Sequence, residues 1–185
     1  MGTRNLSLCK KNGEIKIAQY GQWDGYPSGQ GATILKFCRD KNNLERLEKC
    51  LDKIHLITEL KDFVIEYDKL APEYTNQPDN RTPEMKAWFS ALMHRDIGGG
   101  IFENIINLDT SKMPKVMESN IYIHLYEDLD KTENYCDLWI EYAYLINFDT
   151  NKLECYGYRK LLKEYDLNNL PTVKEFIAEL ENDEE

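Results

Sequence analysis

The sequence lacks the patterns that mark exported, membrane-spanning and zinc-binding proteins. No apolar run reaches the length of a membrane helix, and no signal peptide precedes Leu6. The three histidines are dispersed, and no two cysteines are spaced as Cys-x-x-Cys. We therefore expect a cytoplasmic protein without a metal or other cofactor. Its five cysteines should be reduced thiols, mostly in the core: Cys9, Cys38, Cys50, Cys136 and Cys155.

Basic residues are also scarce, since 23 Lys and Arg against 33 Asp and Glu leave a net charge of −10. General nucleic-acid binding is not expected, because affinity for phosphate comes from Lys and Arg. A basic partner would suit this charge, but so would a role in solubility alone, which is the commoner case. The 185 residues, 42% of them hydrophobic, are enough for one globular domain spanning residues 1–185.

One stretch, residues 19–31 (QYGQWDGYPSGQG), differs from the rest of the chain. It holds four of the ten glycines, three aromatic residues and one proline, so it cannot be the interior of a helix or of a central strand. The Gly-Lys-Ser/Thr ending of a phosphate-binding loop is missing. We expect an ordered loop in which Trp23 or Tyr26 lines a concavity that also receives Gln22 or Asp24.

Two predicted hairpins bracket the chain. Residues 6–20 alternate apolar and polar side chains around Asn12-Gly13, a strong signal for a type I′ turn. Residues 138–148 are the most β-prone run, and residues 153–158 return beside them. Because a lone hairpin is only marginally stable, we expect the two to join into one antiparallel sheet with a helical middle packed on it, an α+β fold.

The middle of the chain is predicted to be a helical insertion at about residues 42–110. The first predicted helix is capped by Asn42 or Asn43 and has four inward residues: Leu44, Leu47, Leu51 and Ile54. A second helix should follow Thr58, and after a polar loop at 72–81 a third helix should begin at Thr82-Pro83. A short fourth helix is predicted after Gly98–Gly100, with four inward residues: Ile101, Phe102, Ile105 and Ile106. Residues 113–135 are ambiguous, although 121–125 could form a strand. A capping box from Thr172 to Glu175 opens the last helix.

Several segments resemble a family of uncharacterised proteins of bacteriophages and prophages. They are Gly2–Leu6 (GTRNL), residues 18–31 (AQYGQWDGYPSGQG) and, more loosely, the closing hairpin from residue 136 to residue 156. The resemblance implies a viral or mobile-element setting. The family brings no established activity, so the resemblance implies no substrate and no catalytic residue.

The candidate ligand-binding residues combine amides, aromatic rings and charges: Arg4, Gln22, Trp23, Asp24, Tyr26, Ser28, Gln30, His94 and Glu141. The loop members suit a planar polar ligand or a protein partner. For Asp24 a turn-forming role is the commoner case, and for His94 an interaction with the dipole at a helix C-terminus. Glu141, in an apolar run, lies either on the open face of the sheet or buried with a partner; we predict an ion pair with Arg4, either structural or functional.

Two function classes remain open from the sequence. The favoured one is a small acidic binding protein of phage type, acting on a host component in defence or host takeover, with residues 19–31 as its recognition surface. The alternative is a hydrolase or transferase of a nucleotide-like molecule, using Asp24, Glu141 or His94, although no Gly-x-Ser-x-Gly motif is present. A binding module should present Trp23 and Tyr26 outward, whereas an enzyme should fold them over a pocket.

Overall fold

The computed structural model describes residues 2–57, 97–107, 121–124, 140–158 and 160–181. In chain order the elements are β1 (Asn5–Lys11), β2 (Glu14–Gly21), a π-helical turn (Pro27–Gly31), α1 (Ala32–Arg39), α2 (Lys41–Leu51), β3 (Ile54–Ile57), α3 (Gly100–Asn107), β4 (Ile121–His124), β5 (Tyr142–Asn147), β6 (Lys152–Gly157), β7 (Lys160–Asp166) and α4 (Val173–Glu181). The predicted helices after Thr58 and Thr82, the loop at 72–81, His94 and Cys136 lie outside the described residues.

The fold is α+β, as predicted, and is built on a five-stranded sheet in the order β2-β1-β5-β6-β7. Both predicted hairpins are present, and they are direct neighbours in this sheet. The predicted antiparallel junction is wrong, because β1 and β5 pair in parallel, with Asn5 opposite Tyr142. Both strands therefore begin at the same end of the sheet. The strand β7 at one edge was not predicted.

The two hairpin turns lie side by side at the opposite end of the sheet. Asn12 and Gly13 have φ values of 57° and 78°, which confirms the predicted type I′ turn. Their backbone N–H groups donate to the two carboxylate oxygens of Asp149 at 2.6 and 2.8 Å. A single side chain from the second hairpin therefore fixes the turn of the first, which stabilises the parallel junction between them.

The central strand β5 is buried on both faces, whereas the edge strand β7 is mostly exposed. On one face, side chains of β1, β2, β5, β6 and β7 form a single core with α1, α2, α3 and α4. On the other face, a smaller hydrophobic cluster consists of Leu6, Leu8, Ala18, Tyr20, Ile140, Ala143 and Leu145. The side chains of β5 are buried throughout, which is why its sequence reads as a continuous apolar run.

The helices confirm most of the local predictions, with two corrections. The Thr172 hydroxyl accepts from the Glu175 N–H at 3.3 Å, and the Glu175 carboxylate accepts from the Thr172 N–H at 2.8 Å, as a capping box requires. However, α2 is capped by Asp40, whose carboxylate accepts from the backbone of Asn42, so neither Asn42 nor Asn43 is the cap. Ile54 does not extend α2.

A second, two-stranded parallel sheet joins β3 to β4, with Ile54 opposite Ile121. This sheet confirms a strand at 121–124 and corrects the prediction that Ile54 belongs to a helical stripe. Ile54 is buried, so the prediction that it belongs to the core was correct, whereas the predicted element type, a helix, was wrong. Within the described ranges, no helix is long and apolar enough to cross a membrane.

Candidate functional site

The parallel junction brings four chain segments together at one end of the sheet. Because β1 and β5 begin there, the antiparallel strands β2 and β6 must end there, at Gly21 and Gly157. The segment before β1, the glycine-rich loop after β2, the residue before β5 and the turn after β6 consequently meet. We call this region, residues 2–5, 21–31, 140–142 and 157–158, the loop end of the sheet.

The segment before β1 forms the floor of the loop. A Cβ added to Gly2 would lie 2.2 Å from the Trp23 ring, so only glycine allows the ring to cover this backbone. The Gly25 N–H donates to the Thr3 carbonyl at 3.0 Å. The Asn5 side-chain amide donates to the carbonyl of Trp23 at 3.1 Å. The segment before β1 and the loop after β2 are thus one structural unit.

Two side chains of the sheet, Asn5 and Tyr144, hold the loop through hydrogen bonds. The face under the loop carries Asn5, Ser7 and Gln19, all buried, where an apolar row would otherwise be expected. Beside them, the Tyr144 hydroxyl donates to the Gly25 carbonyl at 2.8 Å. Burial raises the pKa of Tyr144, so this hydroxyl stays protonated and remains a donor. The loop is therefore ordered by the sheet and not only by its own contacts.

The far half of the loop is a π-helical turn with structural contacts of its own. The Gln30 N–H donates to the Asp24 carbonyl at 2.8 Å, and the Gly31 N–H reaches the Tyr26 carbonyl at 3.3 Å. The side-chain oxygen of Gln30 accepts from the Gly99 N–H at 2.8 Å and so fixes the start of α3. Gln30, a candidate ligand contact from sequence, is thereby shown with a structural role.

Ser28 and Gln22 also make contacts within the protein. The backbone N–H of Ser28 donates to the Glu181 carboxylate at 3.2 Å, which links the loop to α4. The Gln22 side-chain oxygen accepts from the Tyr20 hydroxyl at 2.6 Å. The Ser28 bond uses only its backbone, so the exposed side chains of the loop are Trp23, Asp24, Tyr26 and Ser28.

The exposed large hydrophobic side chains concentrate at the loop end. Within the described residues they are Trp23, Tyr26, Tyr158 and Leu161, exposed by 56%, 49%, 63% and 49%. The rings of Tyr26 and Tyr158 both contact Tyr142, with centroids 5.8 and 6.0 Å away, and Tyr142 itself is 2% exposed. We call Trp23, Tyr26 and Tyr158 the aromatic patch. Clustered exposed rings of this kind typically mark an interaction surface.

Backbone strain points to the same region. In the described chain, four residues other than glycine have positive φ: Asn12, Asp24, Asn151 and Tyr158. The two asparagines occupy hairpin turns, where this conformation is usual. Asp24, at 55°, follows Trp23 of the aromatic patch, and Tyr158, at 45°, belongs to the patch; for Tyr158 the conformation is sterically unfavourable. Strained residues of this kind cluster at functional sites.

Arg4 and Glu141 are neighbours, but not through the predicted contact. The Glu141 carboxylate accepts from the backbone N–H of Arg4 at 3.3 Å, and the Arg4 carbonyl accepts from the Glu141 N–H at 3.1 Å. Where the structure describes both residues, no ion pair joins their side chains. The predicted ion pair is therefore corrected to main-chain hydrogen bonds, which continue the parallel pairing of β1 and β5 by one residue.

The described residues offer little for catalysis or for a metal. No group of three His, Cys, Asp or Glu among them lies close enough to hold a metal ion. Cys9, Cys38 and Cys155 are buried, and burial raises the pKa of each thiol, so none is an activated nucleophile. His94 lies outside the described residues, which leaves Asp24 and Glu141 as the candidate acids of the loop end.

No family model, curated protein or solved structure matches the chain. The site therefore has to be interpreted from its own geometry. Sequence reasoning identified Trp23, Asp24, Tyr26 and Glu141 but missed Tyr158. Nothing local distinguishes Tyr158 from the other tyrosines, and only the pairing of β5 with β6 brings it beside Tyr142.

Proposed function

We propose that this protein is a binding module that recognises another protein through the aromatic patch. The observation that carries the proposal is the outward presentation of Trp23 and Tyr26, exposed by 56% and 49%. An enzyme that used these rings to enclose a small substrate would bury them over a pocket. Exposed Trp and Tyr on a rigid support are instead the usual anchors of protein interfaces.

The rigidity of the support strengthens this proposal. A glycine-rich loop loses much conformational entropy on ordering, and an interface gains affinity when that loss precedes binding. Here Asn5, Tyr144 and the Thr3 carbonyl already hold the loop in the unbound protein. The rings are therefore preorganised, and binding needs to order few additional groups.

The family resemblance supports a biological setting for the module. We place it in the cytoplasm of a host cell, where a protein of phage or prophage type would bind a host component in defence or takeover. The alternative, an enzyme acting on a nucleotide-like molecule, has less support, because the net charge of −10 disfavours phosphates and the rings are not folded inward.

Affinity purification from host lysate with quantitative mass spectrometry tests the proposal. The wild type is compared with Trp23→Ala, Tyr26→Ala and Tyr158→Ala, and with the control Lys36→Ala, an exposed residue of α1. A partner protein should be captured by the wild type and by Lys36→Ala, and each patch variant should lose it by about tenfold or more, as interface anchors do.

Purified wild type and variants must also show the same circular dichroism spectrum, so that loss of binding is not loss of fold. Retention of the same partner by all three patch variants would contradict the proposal. So would a wild type that carries a tightly held nucleotide-like molecule whose binding depends on Asp24 or Glu141, since that result favours the enzyme.

A further inference from the structure

We propose that the partner contacts the aromatic patch with an arginine-bearing segment, whose guanidinium group stacks on the exposed rings and pairs with Asp24 and Glu141. This inference rests on the proposed function and adds the chemistry of the partner. It follows from the two carboxylates that lie among the rings.

Asp24 is held between Trp23 and Tyr26 in a conformation that turns its side chain to solvent. Its φ of 55° is maintained because the Asp24 carbonyl accepts from the Gln30 N–H and the Gly25 N–H is bound by Thr3. Turn-forming aspartates normally bond to nearby N–H groups through the carboxylate. In the described part of the chain no such bond to the Asp24 carboxylate is present, so its charge is available to a partner.

Glu141 supplies the second carboxylate, between Arg4 and the strained Tyr158. Its Oε1 accepts one weak hydrogen bond, at 3.3 Å, from the Arg4 backbone, and its carbonyl accepts from the Tyr158 N–H at 2.8 Å. The main-chain bond thus places the backbone of Tyr158 beside that of Glu141. Because a carboxylate accepts up to four hydrogen bonds, Glu141 keeps capacity for a donor from outside.

The rings favour arginine over other cations. A guanidinium is planar, stacks on aromatic faces, and presents a fork of N–H donors that matches a carboxylate, whereas the lysine ammonium is compact and strongly hydrated. The rings of Tyr26 and Tyr158 lie against Tyr142, with planes tilted by 54° and 56° from its plane, and they stay exposed by 49% and 63%. A cation can therefore approach either ring from solvent.

The charges of the whole chain favour the same partner. The net charge of −10 attracts a basic segment from a distance and increases its association rate. Arg4 is the cation among the described residues of the loop end, so the local field is mixed. Recognition must consequently come from the position of Asp24 and Glu141 among the rings and not from a uniformly acidic surface.

The test is a titration of isotope-labelled protein, followed by NMR, with three matched peptides. They are acetyl-Gly-Arg-Gly-Arg-Gly-amide and its versions with lysine or with citrulline, the neutral analogue of arginine. The arginine peptide should give saturable shifts at residues 23–26 and 158. The lysine peptide should bind more weakly, and the citrulline peptide should give no saturable shift.

Charge variants separate local pairing from overall attraction. Asp24→Asn and Glu141→Gln preserve shape and each should weaken the arginine peptide by about two- to fivefold, as a partly exposed charge pair does. Glu45→Gln, on the exposed side of α2, removes the same charge elsewhere and should leave affinity unchanged. Equal binding of the arginine and citrulline peptides, or equal effects of all three variants, would overturn the inference.

The same variants distinguish this inference from the proposed function. If the lysate partner is lost with Tyr158→Ala but is captured equally by Asp24→Asn, Glu141→Gln and the wild type, the arginine contact is wrong and the binding module stands. If Asp24→Asn and Glu141→Gln also capture less of the lysate partner, and do so by about the factor by which they weaken the arginine peptide, both proposals are supported.

Discussion

The Tyr144 hydroxyl donates a hydrogen bond to the Gly25 carbonyl at 2.8 Å and so ties the buried sheet to the exposed loop. Tyr144 lies on β5 and Gly25 follows β2, so the bond depends on the β1–β5 junction between the two hairpins. A Cβ on Gly31 would lie 2.9 Å from the same ring, which shows how closely the loop packs on it. The loop is therefore an extension of the core.

Replacing Tyr144 with Phe should destabilise the protein by about 1–3 kcal/mol, because the Gly25 carbonyl loses its buried donor. Chemical denaturation measures the change. Tyr165→Phe is the matched control: the Tyr165 hydroxyl donates to Glu179 at a partly exposed site, where water can replace it, so its cost should be smaller. A larger cost for Tyr165→Phe than for Tyr144→Phe would contradict the anchoring role.

Replacing Trp23 with Ala should abolish partner binding while lowering the melting temperature only modestly, since more than half of the side chain is exposed. Tyr142→Ala, at the buried ring between Tyr26 and Tyr158, should instead cost about 3–5 kcal/mol, in the range of other buried aromatic truncations. Differential scanning calorimetry compares the two. Outright unfolding of the Trp23 variant would mean that the loop is scaffold.

The capping box of α4 should make stability depend on pH. Hydrogen bonds from the Thr172 hydroxyl and N–H lower the pKa of Glu175 below its usual value. A carboxyl whose pKa is lower in the folded state stabilises the protein above its unfolded pKa, and this contribution is lost as the pH falls through the folded pKa.

Thr172→Ala removes the cap and should cost about 1 kcal/mol near neutral pH. The same substitution should destabilise the protein less once Glu175 is protonated. The free energies of unfolding of the wild type and of Thr172→Ala should therefore converge as the pH falls. Urea denaturation between neutral and acidic pH measures this convergence. A difference that stays constant with pH would show that Glu175 does not act through Thr172.

The thiols should differ in reactivity according to burial. Cys50 is partly exposed and should react with iodoacetamide before Cys9, Cys38 and Cys155, whose burial both blocks access and raises the thiol pKa. Mass spectrometry after timed labelling of the native protein identifies the order. In denaturant all four should react at similar rates, and preferential native labelling of Cys38 would contradict the described core.

Local sequence rules were sufficient wherever a few neighbouring residues determine the structure. The turn at Asn12-Gly13, the capping box at Thr172 and the four inward residues of α3 were predicted because each depends on backbone geometry or spacing within about one helical turn. The loop was predicted to be ordered from its composition alone, and hydrogen bonds to Thr3 and Tyr144 hold it in place. Its role in binding stays a prediction.

Where several local solutions were equally good, sequence reasoning failed. Asp40, Asn42 and Asn43 are all good N-caps, and the structure selects Asp40. Ile54 suited either a helical stripe or a strand, and pairing with Ile121 made it a strand. These choices depend on contacts with distant segments, which add more free energy than the small differences in local propensity.

The site itself was decided by tertiary structure. The sequence determined which residues could recognise a partner, since Trp23, Asp24, Tyr26 and Glu141 are chemically distinctive. Only the parallel pairing of β1 with β5 placed Glu141 beside Arg4 and brought Tyr158 to the same end of the sheet. Parallel and antiparallel junctions bury the same apolar side chains, so the hydrophobic pattern cannot distinguish them. The hydrogen bonds and close packing of the assembled sheet do distinguish a parallel junction from an antiparallel one.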